Sequence, residues 1–219
     1  MLRLALTTLN VDAEAALSLA EQARAAGIAK PLRRRQFIAG RRLLRRMLAD
    51  ACGGHAEDWV LEATAGAPPS VASRPDLCLS VSHSGEWVAA AVADRPVGID
   101  IEALRARRDP ERFARWVCSS AEWNDWRALE GPAADDALIA HWTRKEAWLK
   151  RDGGEVLLTR MHRIHAEPAD MARAEVATWR LGDVAMLSLC AQDVAAVAID
   201  PTPADRLEPQ GWFSVAPCD

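Results

Sequence analysis

Two stretches of this chain echo two others, in the same order. IAGRRLLRRMLAD at 38–50 resembles IAHWTRKEAWLKRD at 139–152, and LSVSHSGEWVAAAVAD at 79–94 resembles LSLCAQDVAAVAID at 187–200. The first pair has helical spacing. The second reads as a strand hairpin. A helix followed by a hairpin, used twice, leaves few packing solutions. The chain is predicted to be an α+β protein of two similar halves related by a pseudo-twofold axis. Each half is a long helix packed on a small antiparallel sheet. The halves divide near residue 106, into 1–106 and 107–219. A cleft between them is a natural place for a small-molecule site.

The 219 residues, half of them hydrophobic, suffice for such a core. The net charge is -4, so overall charge does not favour nucleic acid. The five cysteines are far apart, odd in number and form no CxxC, which argues for reduced thiols over a zinc site or disulfide framework. Asp12 and Glu14 interrupt the N-terminal segment too early for a signal peptide. No apolar run approaches the roughly 18 residues of a membrane span. A cytoplasmic protein with no membrane partner is expected.

Along the chain, residues 2–9 read as a strand and 12–26 as a helix closed by Gly27. Residues 30–50 read as a second helix with Phe37, Ile38, Leu43, Leu44, Met47 and Leu48 on its apolar face. Residues 64–76 are turn-rich. Residues 77–83 and 87–93 form a hairpin, and 97–102, VGIDIE, a further strand. Residues 103–112 read as a linker, 111–130 and 135–151 as helices, and the Pro-rich tail 201–217 as irregular.

Four groups of residues carry chemistry. In VGIDIE the two-residue period puts Val97, Ile99 and Ile101 on one face and Asp100 with Glu102 on the other. The carboxylates are either an ordinary solvated face or ligands of a hard cation such as Mg²⁺. In HWTRKEAWLK, Ile139, Trp142, Glu146 and Leu149 share a helical stripe, so Glu146 interrupts an apolar row. It is either a helical pair with Lys150 one turn on, or a third metal-facing carboxylate. In SVSHSG, His83 stands at the hairpin mouth beside Ser82, either solvated or set to contact phosphate. Finally, Arg33, Arg34, Arg35, Arg41, Arg42, Arg45 and Arg46 fall within fourteen residues. Most read as a solvated face. A polyanionic small molecule fits the remainder better than RNA, because stacking aromatics are missing. His162 and His165 form an HxxH with no third ligand nearby and are set aside.

Taken together, these residues resemble the 4′-phosphopantetheinyl transferases of the surfactin-synthetase-activating type. The motifs are AGR ending at Arg41, SHS at 82–84, GIDIE at 98–102, and Trp142, Lys145, Glu146 and Lys150, with Phe113 and Glu122 fitting the family's F…E stretch. The resemblance spans roughly residues 30–155 and implies the same pseudo-twofold fold. It implies transfer of the phosphopantetheine arm of coenzyme A to a serine of an apo acyl or peptidyl carrier protein, with release of 3′,5′-ADP. Asp100, Glu102 and Glu146 are then expected to hold Mg²⁺. Ser82, His83 and Lys150 contact coenzyme A phosphates, Arg41 the 3′-phosphate side, and Arg34 joins as a further ligand. Glu146 is the implied base, directly or through a water. Lys145 is in the motif without an assigned role. The chain reads GAPP at 66–69 where many relatives read GKP, which removes a basic contact. The competing readings are another Mg²⁺-dependent phosphotransfer enzyme, or a non-catalytic relative that binds carrier protein or nucleic acid. A monomer is expected, since the two halves already form the cleft.

Overall fold

The computed structural model describes residues 1–9, 17–62, 67–152, 161–200 and 206–218. The fold is α+β, with two helix-on-sheet modules. The first sheet has the order β2-β3-β1-β8 and the second β4-β7-β6-β9-β5. The strands are β1 (Leu2–Thr8), β2 (Cys78–Ser84), β3 (Trp87–Ala93), β4 (Val97–Ala103), β5 (Ile164–Pro168), β6 (Val176–Leu181), β7 (Ala185–Ala191), β8 (Ala198–Ile199) and β9 (Leu207–Pro217). The helices are α1 (Leu19–Ala26), α2 (Pro31–Cys52), α3 (Pro110–Val117), α4 (Ser120–Trp126) and α5 (Gly131–Arg151). No helix among the described residues is long and apolar enough to cross a membrane.

The two long helices follow from their spacing and ends. Each begins with proline in its first turn, where the missing N–H costs nothing. Gly53, at φ 87°, ends α2 in a conformation that disfavours side chains. Helix α2 buries Ala39, Leu43, Leu44, Met47 and Leu48 against Ala5, Leu79, Val88, Ala90 and Val92 of the first sheet. Helix α5 buries Ala147, Trp148 and Leu149 against Val176, Cys190, Phe213 and Val215 of the second. The opposite faces of the sheets meet in a shared core. Leu4, Leu6 and Ala91 pack there with Ile99, Ile101, Leu187 and Leu189.

The chain changes sheet three times, from β3 to β4, from β7 to β8 and from β8 to β9. Strand β4 follows β3 directly yet pairs with β7 in the second sheet, Asp100 opposite Ser188. Strand β8 comes late in the chain yet pairs parallel with β1 in the first.

Several expectations change. Residues 187–200 are not a second hairpin: β7, a 3₁₀ turn at Val194–Ala196 and β8 follow one another, and the two strands join different sheets. The 111–130 segment is two short helices, α3 and α4, with a break at Cys118 and Ser119. The tail is not irregular, because β9 lies between β6 and β5. Its prolines escape notice as strand residues because Pro209 sits at the register shift near Trp179, where a bulge tolerates a missing donor. Phe37 and Ile38 are half-buried instead of core. The start of the first expected helix (12–16), Gly66 and the 201–205 part of the tail lie outside the described residues.

Gly98 makes the closest approach of any glycine among the described residues. A Cβ there would fall 2.0 Å from the Ala147 carbonyl oxygen and 2.4 Å from the Arg151 nitrogen, both backbone atoms of α5. Gly98→Ala is expected to push α5 off β4 and destabilise the protein by ~3 kcal/mol or more, measurable by urea denaturation followed by circular dichroism.

Candidate active site

The site lies where α5 crosses the β2–β4 seam. Strands β2 and β4 are edges of different sheets, and serine hydroxyls join them. Ser80 Oγ accepts from Ile99 N at 3.1 Å. Ser82 Oγ donates to Asp100 Oδ1 at 2.7 Å. Ser84 Oγ donates to Glu102 Oε2 at 2.9 Å and accepts from Ala103 N at 3.0 Å. The alternation Ser80-x-Ser82-x-Ser84 thus covers an open strand edge and fixes both carboxylates of the GIDIE strand.

Helix α5 brings the other charges. Lys150 Nζ donates to Asp100 Oδ1 at 2.6 Å and to Ser82 Oγ at 3.2 Å, and stands 3.8 Å from Glu146 Oε2. Asp100 is only 3% exposed, so its face of β4 is not the solvated face that alternation alone permits. Its Oδ2 is buried without a hydrogen-bond partner. Burial, then the neighbouring Asp100 charge, push the Glu146 carboxyl up to about 7 against the pull of Lys150. Glu102 is raised for the same two reasons, with Ser84 and the nearby Arg107 acting against them. Lys150 goes up: burial opposes its charge, but Asp100 and Glu146 outweigh it.

His83 points toward α2. Arg33 Nη1 lies 2.6 Å from His83 Nδ1. A guanidinium can only donate, so Nδ1 accepts and the ring proton sits on Nε2. Arg33 also donates to Gln36 Oε1 at 3.2 Å, and Gln36 Nε2 donates to the Gly85 carbonyl at 2.8 Å, which ties α2 to the hairpin turn.

The structure therefore gathers Ser82, Asp100, Glu102, Glu146 and Lys150, with His83 alongside. Arg41 and Arg34 have other contacts. Arg41 is 6% exposed and donates to the Glu62 carbonyl at 2.6 Å, with its Nε 3.8 Å from Glu21 and its guanidinium over Phe37. Arg34 is exposed and donates to the Ile28 carbonyl at 3.1 Å. Arg41 and Arg45 are thus not part of a solvated basic face. Sequence reasoning missed Arg33 and Ser84 as site residues. Arg33 falls on the same helical stripe as Gln36, Gly40 and Leu44, at 3-4-4 spacing, which is the readable sign that it faces the hairpin. A cavity of about 680 Å³ lined by Ser119, His162, Arg163, His165 and Cys218 holds none of these residues.

Oxygen donors of this type suit a hard cation. The partnerless Asp100 Oδ2 and the two carboxyls raised by burial and by the Asp100 charge are what such an ion would relieve. Among the described residues, however, no group of three His, Cys, Asp or Glu side chains is already drawn together as a metal cage. The ammonium of Lys150 is the cation that Asp100 holds here.

Comparison with known proteins identifies the family. Residues 96–200 match the model of the 4′-phosphopantetheinyl transferase superfamily. The 4′-phosphopantetheinyl transferase HetI of Nostoc sp. is 31% identical over 193 residues, covering 86% of this chain and 80% of the relative. The 4′-phosphopantetheinyl transferase Sfp of Bacillus subtilis is 32% identical over 85 residues, 39% of this chain and 37% of that protein. AcpT of Salmonella typhimurium, another 4′-phosphopantetheinyl transferase, is 34% identical over 124 residues, 56% and 61% of the two chains. The chain belongs to the 4′-phosphopantetheinyl transferase superfamily and is an enzyme of that class.

Burial, then the charge of Arg33, lower the pKa of His83 to about 4. An unfolded histidine titrates near 6.5. Between about pH 4 and 6.5 the unfolded chain takes up a proton that the folded site refuses, so this contribution to stability grows as pH rises through that window. The unfolding free energy of the native protein relative to His83→Gln is expected to increase across it by on the order of 2–3 kcal/mol and to level off above pH 7. Urea denaturation at a series of pH values checks this. Glu146 titrates with the opposite sign in both proteins and cancels in the difference.

Proposed function

We propose that this enzyme moves the 4′-phosphopantetheine arm of coenzyme A onto a serine of an apo acyl or peptidyl carrier protein and releases 3′,5′-ADP. The observation that carries the reading is the meeting of Asp100, Glu146 and Lys150 across the β4–α5 contact, in a chain of this family. Two modules in one chain favour the surfactin-synthetase-activating type, acting as a cytoplasmic monomer. The division at residue 106 belongs to the same proposal. On that view β4 and β8 are strands that each half lends to the other's sheet.

Asp100, Glu102 and Glu146 would hold Mg²⁺, which when bound supplies Lewis acidity at the pyrophosphate. The protein's own groups do the rest. The carrier serine oxygen forms a bond to the phosphorus on the pantetheine side, and the bond from that phosphorus to the bridging oxygen breaks. The electron pair leaves with 3′,5′-ADP. The serine proton passes to Glu146, directly or through a water. Lys150 and the Nε2–H of His83 donate toward the pyrophosphate oxygens, and Ser82 joins them by turning its hydroxyl away from Asp100. Burial, helped by Arg33, keeps that histidine neutral, and Arg33 adds a fixed positive charge. Arg41 and Arg34 are assigned to the 3′-phosphate side, with the exposed Arg34 the more accessible. A reading as a pure carrier-protein or nucleic-acid binder leaves the buried carboxylates and Lys150 without a use.

Intact-mass measurement of apo carrier proteins incubated with the enzyme, coenzyme A and Mg²⁺ tests this. One added phosphopantetheine is expected on at least one carrier. Glu146→Gln is expected to slow transfer by about 10²- to 10⁴-fold, and Asp100→Ala to abolish it while the circular dichroism spectrum stays native. Full activity of Asp100→Ala would remove the mechanism.

A further inference from the structure

Lys145 is the motif residue without a role, and with Glu21 it is one of the two most deeply buried charges among the described residues. It is 0% exposed. Its ammonium has three N–H donors and three acceptors: Glu122 Oε2 at 2.5 Å, the Val117 carbonyl at 2.6 Å and the Met161 carbonyl at 3.3 Å. Glu122 is equally engaged. Its Oε2 also accepts from Ser119 N at 2.8 Å, closing the capping box of α4, and its Oε1 accepts from Ala166 N of β5 at 2.9 Å. His141, one turn before Lys145 on α5, lies 3.4 Å from the same Oε1. One buried pair therefore binds the ends of α3 and α4, the Met161 segment and β5 to a single turn of α5.

Lys145 immediately precedes Glu146. The opposite flank of the same turn is the Gly98 contact, where the Ala147 carbonyl rests on β4. Helix α5 is thus held on both sides at the level of the reactive carboxylate. The first module has the same device. Ser18 and Glu21 form the capping box of α1, Glu21 is 0% exposed, and its Oε2 accepts from both Ser18 N at 2.8 Å and Arg45 Nη2 of α2 at 2.5 Å. In each module a capping-box glutamate pins a basic residue of the long helix.

We infer that Glu122 and Lys145 are positioning residues for the transfer reaction: their ion pair sets the rotation of α5 and so holds Glu146 and Lys150 against Asp100. Neither touches substrate. The inference rests on the reaction proposed above. A buried ion pair is often replaceable by apolar side chains without loss of stability, so orientation is the property that the pair contributes and that apolar packing does not reproduce.

The test compares the wild-type enzyme with the double variant Glu122→Leu/Lys145→Met, which removes both charges together. Steady-state transfer is measured with coenzyme A varied, and thermal unfolding is followed by circular dichroism. The expected result is a native spectrum, an unchanged KM for coenzyme A and a kcat lower by about 10- to 100-fold, the cost of misplacing a reacting group by about 1 Å. A kcat within about twofold of wild type, or a raised KM with kcat intact, overturns the inference, the latter because it would make Lys145 a coenzyme A ligand. Glu122→Asp covers the case in which the double variant does not fold. It keeps both charges but shortens the link by one methylene, and a kcat at least about tenfold lower is expected, a wild-type kcat overturning the inference. If the wild-type enzyme transfers nothing, the proposed reaction fails first. The clasp is then read from a crystal structure of Glu122→Asp: separation of Lys150 Nζ from Asp100 Oδ1 upholds it, and an unchanged contact overturns it.

Discussion

The approach of β4 to the backbone of α5 at Gly98 is the constraint on which the rest depends. A carbonyl of the helix occupies the place where any other residue would carry its Cβ. The helix therefore lies closer to the strand than side-chain packing allows. Asp100 is the next residue on the same face of β4, and Lys150 and Glu146 flank Ala147 on the helix, so short side chains suffice to bring three charges together. The face opposite carries Ile99 and Ile101, both fully buried between the sheets. A register slip of one residue would put the carboxylates in that core, so the hydrophobic core and the charge cluster specify the same strand placement.

Two carboxylates on one face of a strand repel each other, and a third from α5 adds to the repulsion. The fold offsets this with hydroxyls and one ammonium. Ser82 and Ser84 donate to Asp100 and Glu102, and Lys150 holds Asp100. The compensation is incomplete: Glu146 reaches about 7 and Glu102 is raised. A cluster left short of positive charge in a partly buried place binds a proton when nothing better is present. A divalent cation is the better ligand, and proton and metal then compete for the same oxygens.

The sequence disclosed the cluster more readily than the framework. The alternation of VGIDIE and the stripe through Glu146 and Leu149 identified the side chains that meet, because periods of 2 and 3.6 are local properties. Sheet membership is not local. Nothing in VGIDIE states that its partner is β7, which lies far along the chain, and so the echo at 187–200 read as a hairpin. The tail read as irregular because its prolines and glycine mask a strand whose stability comes from β6 and β5 on either side. Arg45 looked like a surface charge because its partner, Glu21, is distant in sequence. Yet each buried glutamate was readable in principle: Ser18-x-x-Glu21 and Ser119-x-x-Glu122 have capping-box spacing, and each precedes a long helix.

These two glutamates show why buried charge is kept in a fold whose cores are otherwise apolar. A capping-box carboxylate is already oriented by its own helix end, since the cap residue's N–H holds one of its oxygens. The entropy of fixing it is met by helix initiation. The same oxygen can then accept from a neighbouring helix at little further conformational cost, and a charge-assisted bond is directional where methyl packing is not. An apolar residue at position 145 could fill the space and still let α5 turn about its axis. Three acceptors converging on one ammonium do not allow that rotation, and a helix that must present Glu146 and Lys150 to a single oxygen-lined edge of β4 needs the rotation fixed as well as the distance.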